Sequence, residues 1–218
     1  MRKKVIYLNM LIISLGIWSC GGNASKSDNV SQLEEVETIG LSNLEKEHRQ
    51  EMVSYADSVN KGLREDTITG SARLEVNGQV GNTRITINHG SPGARGRVIW
   101  NGLVSYNQVW VSGSHWATAI TFSDAVTVNG VNVPAGMHAL FTIPGREEWT
   151  WIINEKYDQH LAEEYSEAED LVRVTVTPMV LENTVQRLSY EVVDKGDKSG
   201  IVALSWDKIR IEMPFDVQ

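Results

Sequence analysis

The stretch of sequence that decides the fold is residues 88–122, NHGSPGARGRVIWNGLVSYNQVWVSGSHWATAITF. Its last part alternates cleanly, because every second residue from Trp116 to Phe122 would share one face of an extended chain. On both sides of it, short apolar runs are separated by turn residues at a spacing of roughly ten residues, and no strand–helix–strand rhythm interrupts them. The pattern predicts a protein built from antiparallel strands.

The predicted fold class is all-β. We expect an antiparallel β-sandwich of jelly-roll type over residues 72–215, with one short inserted helix at 155–168 and an N-terminal helix at 41–66 outside the sandwich. The inserted helix rests on the four-residue spacing of Tyr157, Leu161 and Tyr165. The N-terminal helix rests on an amphipathic stripe at spacings of three and four, formed by Leu44, His48, Met52, Tyr55, Val59 and Leu63.

Further short strands are expected inside the opening stretch itself. Residues 97–100 and 109–111 are apolar enough to be extended, and Asn101-Gly102 and Tyr106-Asn107 mark turns between them. Most of the tryptophans, outside the leader, fall in alternating apolar segments, which favours core packing. A partly exposed aromatic patch that includes Trp149 and Trp151, suited to a carbohydrate, remains an alternative.

Composition excludes several classes of function. The formal net charge is −8, so the basic surface that nucleic acid requires is not expected, and we predict no nucleic-acid partner. The one cysteine, Cys20, excludes a disulfide within the chain and a four-cysteine zinc site. No metal site and no cofactor is predicted.

The N-terminal residues resemble a bacterial lipoprotein signal. Residues 1–19 combine a basic start, a mostly apolar run and a small residue before Cys20. The resemblance implies cleavage before Cys20 and lipidation of its thiol. Residues 20–40 are rich in Gly, Ser, Asn and acidic residues, which is typical of a flexible tether. We therefore expect a cell-envelope protein attached to the membrane only through a lipid anchor, and favour the outer membrane with the domain facing the periplasm.

Several separate motifs, in order along residues 72–215, resemble the bacterial family known as domain of unknown function 2911. The motifs include Ser91-Pro92-Gly93-Ala94-Arg95-Gly96-Arg97, Gly102-Leu103-Val104, Gly113-Ser114-His115, Pro134-Ala135-Gly136 and Leu140-Phe141-Thr142-Ile143-Pro144-Gly145. The resemblance implies a β-rich envelope domain, common in Bacteroidetes-like bacteria, with no established activity. It supports the fold and leaves the function open.

Four polar residues interrupt or border the apolar segments: Arg95, Arg97, His115 and His160. Arg95 and Arg97 are two residues apart, so an extended chain would present both guanidinium groups on one face. Planar donors of this kind bind carboxylate, sulfate or phosphate. Alternatively, each arginine pairs with a carboxylate of this acidic chain and holds its own loop.

The histidines also leave alternatives open. His115 follows a Gly-Ser pair at the start of a strand, and His160 lies shortly before Glu163 and Glu164. Such groups could bind zinc or transfer protons, although no sequential zinc-binding spacing is present, and a structural role is the other interpretation. We predict that the four residues converge on one concave surface that binds an anion.

Three functions remain after these steps. The first is a non-catalytic envelope module that binds a small polar or anionic ligand, a glycan or a protein partner. The second is a hydrolase, metal-assisted or not, that uses His115 and His160. The third is a purely structural envelope protein. The catalytic residues, if there are any, are not identified by the sequence.

Overall fold

The computed structural model describes residues 44–45 and 47–218, which belong to one compact unit. The predicted signal peptide, Cys20 and the tether lie outside the described residues. None of the helices within the described residues is both long and apolar enough to cross a bilayer.

The described chain forms two antiparallel sheets, which confirms the predicted β-sandwich. The larger sheet has the strand order β1-β2-β3-β6-β7-β8, and the smaller has the order β5-β4-β10-β9. The strands are β1 Ala72–Val80, β2 Thr83–Ser91, β3 Thr118–Phe122, β4 Val126–Val128, β5 Val131–Val133, β6 Gly136–Ile143, β7 Trp149–Asn154, β8 Asp170–Val176, β9 Met179–Gly196 and β10 Ser199–Val217.

Apolar residues from the inner faces of both sheets fill the space between them. Trp149, Trp151 and Trp206 are almost fully buried, so they belong to the core rather than to a surface aromatic patch. Trp100 packs edge-on against Trp149 and Trp206, with ring centroids 4.8 and 5.7 Å apart. Only Trp116, of the described tryptophans, is as much as 50% exposed. Burial of these large rings is the main contribution to the stability of the sandwich.

Alternating residues predict separate strands at 201–206 and 208–215, and in the structure both belong to one long strand. β10 runs through Asp207, which has a left-handed φ of 52° at a register shift against β9. An irregularity of this kind inserts an extra residue and breaks the alternation of apolar side chains. The sequence pattern therefore suggests a strand boundary where the chain only bulges.

The N-terminal helix α1 comprises the helical residues 44–45 and 47–60. It ends earlier than the predicted residue 66, because Gly62 adopts a φ of +69° and closes a Schellman motif. In that motif Leu63 N donates to Ser58 O at 2.9 Å, and Gly62 N donates to Val59 O at 3.0 Å. Its inner face, with Tyr55, Ala56 and Val59, is buried.

The helix expected at 155–168 is replaced by a loop and a single 3-10 turn, η1 Glu167–Glu169. Leu161 has a φ of 59°, which an α-helix does not tolerate. The loop instead pairs with the chain before β3, since Ala117 N donates to Gln159 O and Leu161 N donates to His115 O. The four-residue spacing of Tyr157, Leu161 and Tyr165 therefore does not reflect a helix, because hydrogen bonds to the segment before β3 determine the conformation of this loop.

The strands expected at 97–100 and 109–111 are also absent. These residues lie in the long connection from β2 to β3, where only isolated bridges join Trp100 to Val104 and Trp110 to Thr142. Asn101 and Asn107 have φ values of 58° and 59° and turn the chain repeatedly. The prediction was wrong here because apolar side chains in this connection are buried without forming a ladder. The connection supplies most of the candidate site.

Candidate functional site

A cavity of about 440 Å³ opens beside the long β2–β3 connection. Its walls come from residues 69–71, the turn at 92–97 and the segment 103–115, with Leu161 and Trp206 completing it. Three of the four predicted site residues line it, namely Arg95, Arg97 and His115. None of the residues that line it is Asp or Glu, so we call it the cationic cavity.

Arg95 donates most of its hydrogen bonds to backbone carbonyls of the segment 68–70 of the same chain. Its Nη1 donates to Thr69 O at 2.6 Å, and its Nη2 donates to the carbonyls of Ile68 and Gly70. Its Nε lies 3.9 Å from Asp66 Oδ2. The loop-holding interpretation therefore describes Arg95 well, except that the acceptors are mainly backbone carbonyls rather than a carboxylate.

Arg97 is bonded on one edge only. Its Nε donates to Ala94 O at 3.3 Å and its Nη2 donates to Gly93 O at 2.5 Å, both within its own turn. No acceptor for Nη1 occurs among the described residues. The outer Nη1–Nη2 edge of the guanidinium is therefore available for two parallel hydrogen bonds to a ligand.

Three residues that line the cavity have strained backbone conformations. His115, Arg95 and Leu161 all line the cavity and all have left-handed φ values, of 63°, 50° and 59°. Such conformations cost about 1–3 kcal/mol for a residue with a side chain and are concentrated at functional sites. Ser114, which also lines the cavity, has a buried Oγ with no hydrogen-bond partner among the described residues.

His160 is not among the residues that line the cavity. Its ring packs edge-on against the exposed Trp116, with centroids 5.1 Å apart, and the two residues form an isolated antiparallel bridge. Elsewhere in the described chain, too, no group of three or more His, Cys, Asp or Glu side chains is placed to hold a metal ion. The proposed pairing of His115 with His160 in a hydrolase remains a prediction.

Two tryptophans that sequence analysis assigned to the core also line the cavity. Trp110 and Trp206 stack with centroids 6.0 Å apart and an interplanar angle of 20°. Trp206 is 1% exposed, and its Nε1 has no acceptor among the residues described. An unsatisfied buried donor of this kind costs about 1–3 kcal/mol.

The position of the cavity depends on a buried arginine that the sequence did not single out. Arg187, on β9, is 1% exposed and donates through Nε and Nη2 to Asp66 Oδ1, at 2.9 and 2.7 Å. Its remaining acceptors are the carbonyls of Ile68, Gly70 and Ser91. Arg187 thereby fixes the segment 66–70, which in turn forms one wall of the cavity. Its partner Asp66 is 121 residues away, and no local pattern indicates such a pair.

His89 is a second buried group that the sequence did not single out. It is fully buried in β2, its Nδ1 is 3.2 Å from Gly90 O, and its ring lies 4.8 Å from the Tyr190 ring. Burial lowers the pKa of His89 to about 4, with the charge of Arg73 acting in the same direction. Burial likewise raises the pKa of Tyr190 well above its ordinary value. Both groups are neutral at pH 7 and belong to the structural core behind the cavity.

Fold and site together define a two-sheet β-sandwich domain with one donor-rich, carboxylate-free cavity at the connection between β2 and β3. Residues 71–215 match the family described as protein of unknown function, DUF2911, and the chain belongs to that family. No curated protein and no solved structure matches the chain.

Proposed function

We propose that this chain is a non-catalytic binding protein of the cell envelope, lipid-anchored through Cys20, whose sandwich binds a small anion in the cationic cavity. The observation that carries the proposal is a free guanidinium edge in a cavity without carboxylates. Arg97 Nη1 has no acceptor among the described residues, Arg95 adds a second positive charge, and neither Asp nor Glu lines the cavity. An anion supplies acceptors and negative charge together.

The charge of the whole chain supports an anion rather than a general electrostatic surface. A chain of net charge −8 repels anions except where cations are concentrated. Arg95 and Arg97 concentrate positive charge in a recess whose other walls are partly apolar, which raises the strength of each electrostatic contact. A glycan would instead favour carboxylates that accept from its hydroxyl groups, and neither Asp nor Glu lines the cavity.

Ligand-dependent stabilisation of the full-length chain tests the proposal. A ligand that binds only the folded state raises the melting temperature. We expect phosphate, sulfate or a carboxylate to raise it relative to chloride at equal ionic strength. Arg97→Gln should abolish the rise. Arg84→Gln is the matched control, since Arg84 is exposed and does not line this cavity.

The outcomes separate binding from a purely structural role. If no anion raises the melting temperature, or if Arg97→Gln and Arg84→Gln respond alike, the binding proposal fails and the structural interpretation is favoured. A purely structural domain predicts the same melting temperature in every anion at constant ionic strength.

The lipid anchor is tested separately. Cys20 is the only cysteine, so incorporation of labelled palmitate should depend on it entirely. Cys20→Ala should lose the label and leave the membrane fraction or remain unprocessed. A mature-sized Cys20→Ala protein that still sediments with membranes would contradict the anchor. Separation of inner and outer membranes on a density gradient tests the proposed outer-membrane location.

A further inference from the structure

Two chemically different sets of residues line the cationic cavity, and we call them its polar side and its apolar side; the proposed anion contacts only the first. The polar side includes Arg95 and Arg97. The apolar side includes the stacked pair Trp110 and Trp206 and two leucines that remain accessible, Leu103 at 50% and Leu161 at 38% exposure. Exposed leucines that line a recess are a cost unless something apolar covers them.

The polar side is matched to one carboxylate. The guanidinium edge formed by Nε and Nη2 of Arg97 already donates to the carbonyls of Ala94 and Gly93. The remaining Nη1–Nη2 edge has the geometry of a two-pronged fork, which fits the two oxygens of a planar carboxylate. Arg95 contributes charge but little hydrogen bonding, because its Nη atoms donate to the carbonyls of residues 68–70.

The apolar side is matched to a flat group. Trp206 is 1% exposed, but Trp110, which stacks on it at 20°, is half-buried and offers part of its ring to a planar group. A volume of about 440 Å³ is at the small end of the range for ligand pockets, which suits one or two rings rather than a long chain.

We infer that the ligand is an amphiphilic carboxylate: one carboxylate group attached to a flat apolar body of one or two rings. The inference rests on the proposed anion-binding function and specifies the class of the ligand. The carboxylate binds the free edge of Arg97, and the apolar body covers Leu103, Leu161 and the accessible part of Trp110.

A graded series of probes tests the inference on the full-length chain. The probes are acetate, benzoate and 2-naphthoate, with 2-naphthamide as the neutral analogue of the largest and inorganic phosphate as an anion without an apolar part. Melting temperatures at equal concentration and ionic strength rank the affinities, and calorimetry measures the tightest. We expect at least a tenfold gain in affinity from acetate to 2-naphthoate, and at least a tenfold loss from 2-naphthoate to 2-naphthamide.

Substitutions at the two sides should separate the contributions. Leu161→Asn removes the apolar contact, and asparagine tolerates the left-handed φ of 59° at this position. It should lower the affinity for 2-naphthoate severalfold and leave that for acetate unchanged. Leu63→Asn is the control, because Leu63 is 76% exposed and does not line the cavity. Arg97→Gln should weaken acetate and 2-naphthoate together.

Each result has one meaning. Equal affinity for acetate, phosphate and 2-naphthoate, or equal effects of Leu161→Asn and Leu63→Asn, overturns the amphiphile and leaves anion binding intact. Equal affinity for 2-naphthoate and 2-naphthamide overturns both proposals, since charge then contributes nothing. Failure of every anion to bind overturns the proposed function, and the inference fails with it.

Discussion

Arg187 and Arg97 both contact the turn at Gly93, yet their environments are opposite. Arg187 is 1% exposed, and its side chain donates to Asp66 and to three backbone carbonyls. Arg97 is exposed, donates to two carbonyls of its own turn, and keeps one edge of its guanidinium without an acceptor among the described residues. The two arginines meet the same short segment, since Gly93 bridges to Arg187 and accepts from Arg97.

The difference distinguishes structural from functional use of the same side chain. A buried guanidinium must have nearly all of its donors satisfied, because each unsatisfied one costs free energy. Arg187 meets that condition and so holds the region together. Arg97 is near enough to solvent to leave donors unused, and unused donors beside a recess can bind a ligand. The comparison predicts that substitutions at the two sites affect different measurements.

The largest effect is expected at Arg187. Arg187→Met removes both hydrogen bonds to the largely buried Asp66, whose remaining counter-charge is Arg95 at 3.9 Å, and it removes the donor to Ser91 O, so about 3–5 kcal/mol of unfolding free energy should be lost. Chemical denaturation measures the loss. Arg84→Met, at an exposed arginine without an ion pair among the described residues, should change stability by less than about 0.5 kcal/mol. A similarly small effect of Arg187→Met would contradict the structural role of Arg187.

A pH-dependent loss of stability is expected from His89. Its pKa is about 4 in the folded protein and near 6.5 in the unfolded chain. Between about pH 4 and pH 6.5 the unfolded chain binds more protons than the folded protein. The contribution of neutral His89 to the unfolding free energy is therefore complete above about pH 6.5 and is lost as the pH falls toward 4. The difference of roughly 2.5 pH units corresponds to about 3 kcal/mol.

Carboxylates also titrate in this range, so the measurement is a difference between two proteins. Unfolding free energies of the native protein and His89→Asn are compared from pH 7 to pH 4. The native protein should lose about 3 kcal/mol more than the variant over that range. Parallel curves would mean that the pKa of His89 is the same in the folded and unfolded chain and that its surroundings are more polar than the structure indicates.

Gly90 follows the buried His89 in β2 and lies against Ser114, which belongs to the cavity wall. A Cβ at this position would lie 2.2 Å from Ser114 Oγ and 2.7 Å from Ser114 O, so Gly90→Ala must move the backbone of the cavity wall. We expect a loss of about 1–3 kcal/mol in stability together with weaker anion binding. Gly130→Ala is the control, because Gly130 does not line the cavity and its φ of +78° makes the substitution destabilising without any effect on binding. If Gly90→Ala lowers stability without affecting binding, the cavity is independent of the core behind it.

The sequence predicted the fold better than the site. Alternation and turn residues identify the sandwich because they are local, and each strand repeats the signal. The loop at 155–168 and the connection at 97–111 were predicted incorrectly, since their backbones are held by distant partners rather than by local periodicity. Leu161 N, for example, donates to His115 O across 46 positions of sequence.

The sequence grouped part of the lining of the candidate cavity, and the binding role of those residues stays a prediction. Arg95, Arg97 and His115 lie close in sequence and were grouped by their proximity to glycines, and all three line the cavity. His160 was grouped because it lies in the break of the strand pattern, shortly before Glu163 and Glu164, and its ring packs on Trp116. Trp206 and Arg187 could not be found, because an apolar alternation hides the role of Trp206 and the partner of Arg187 lies in a segment without regular structure.

The smallest effect on stability, and the sharpest test, is expected within the cavity itself. Arg95 donates to carbonyls of a separate segment, residues 68–70, so Arg95→Ala should cost about 1 kcal/mol as that wall loosens. Arg97 holds only its own exposed turn, so Arg97→Ala should change the unfolding free energy by less than about 0.5 kcal/mol. Anion binding should show the reverse order, with the greater loss in Arg97→Ala, because the unused donors belong to Arg97.

Denaturation and anion titration of both variants give four values. The proposed division holds only if the ranking of the two arginines inverts between the measurements; the same ranking in both would mean that one arginine performs both roles.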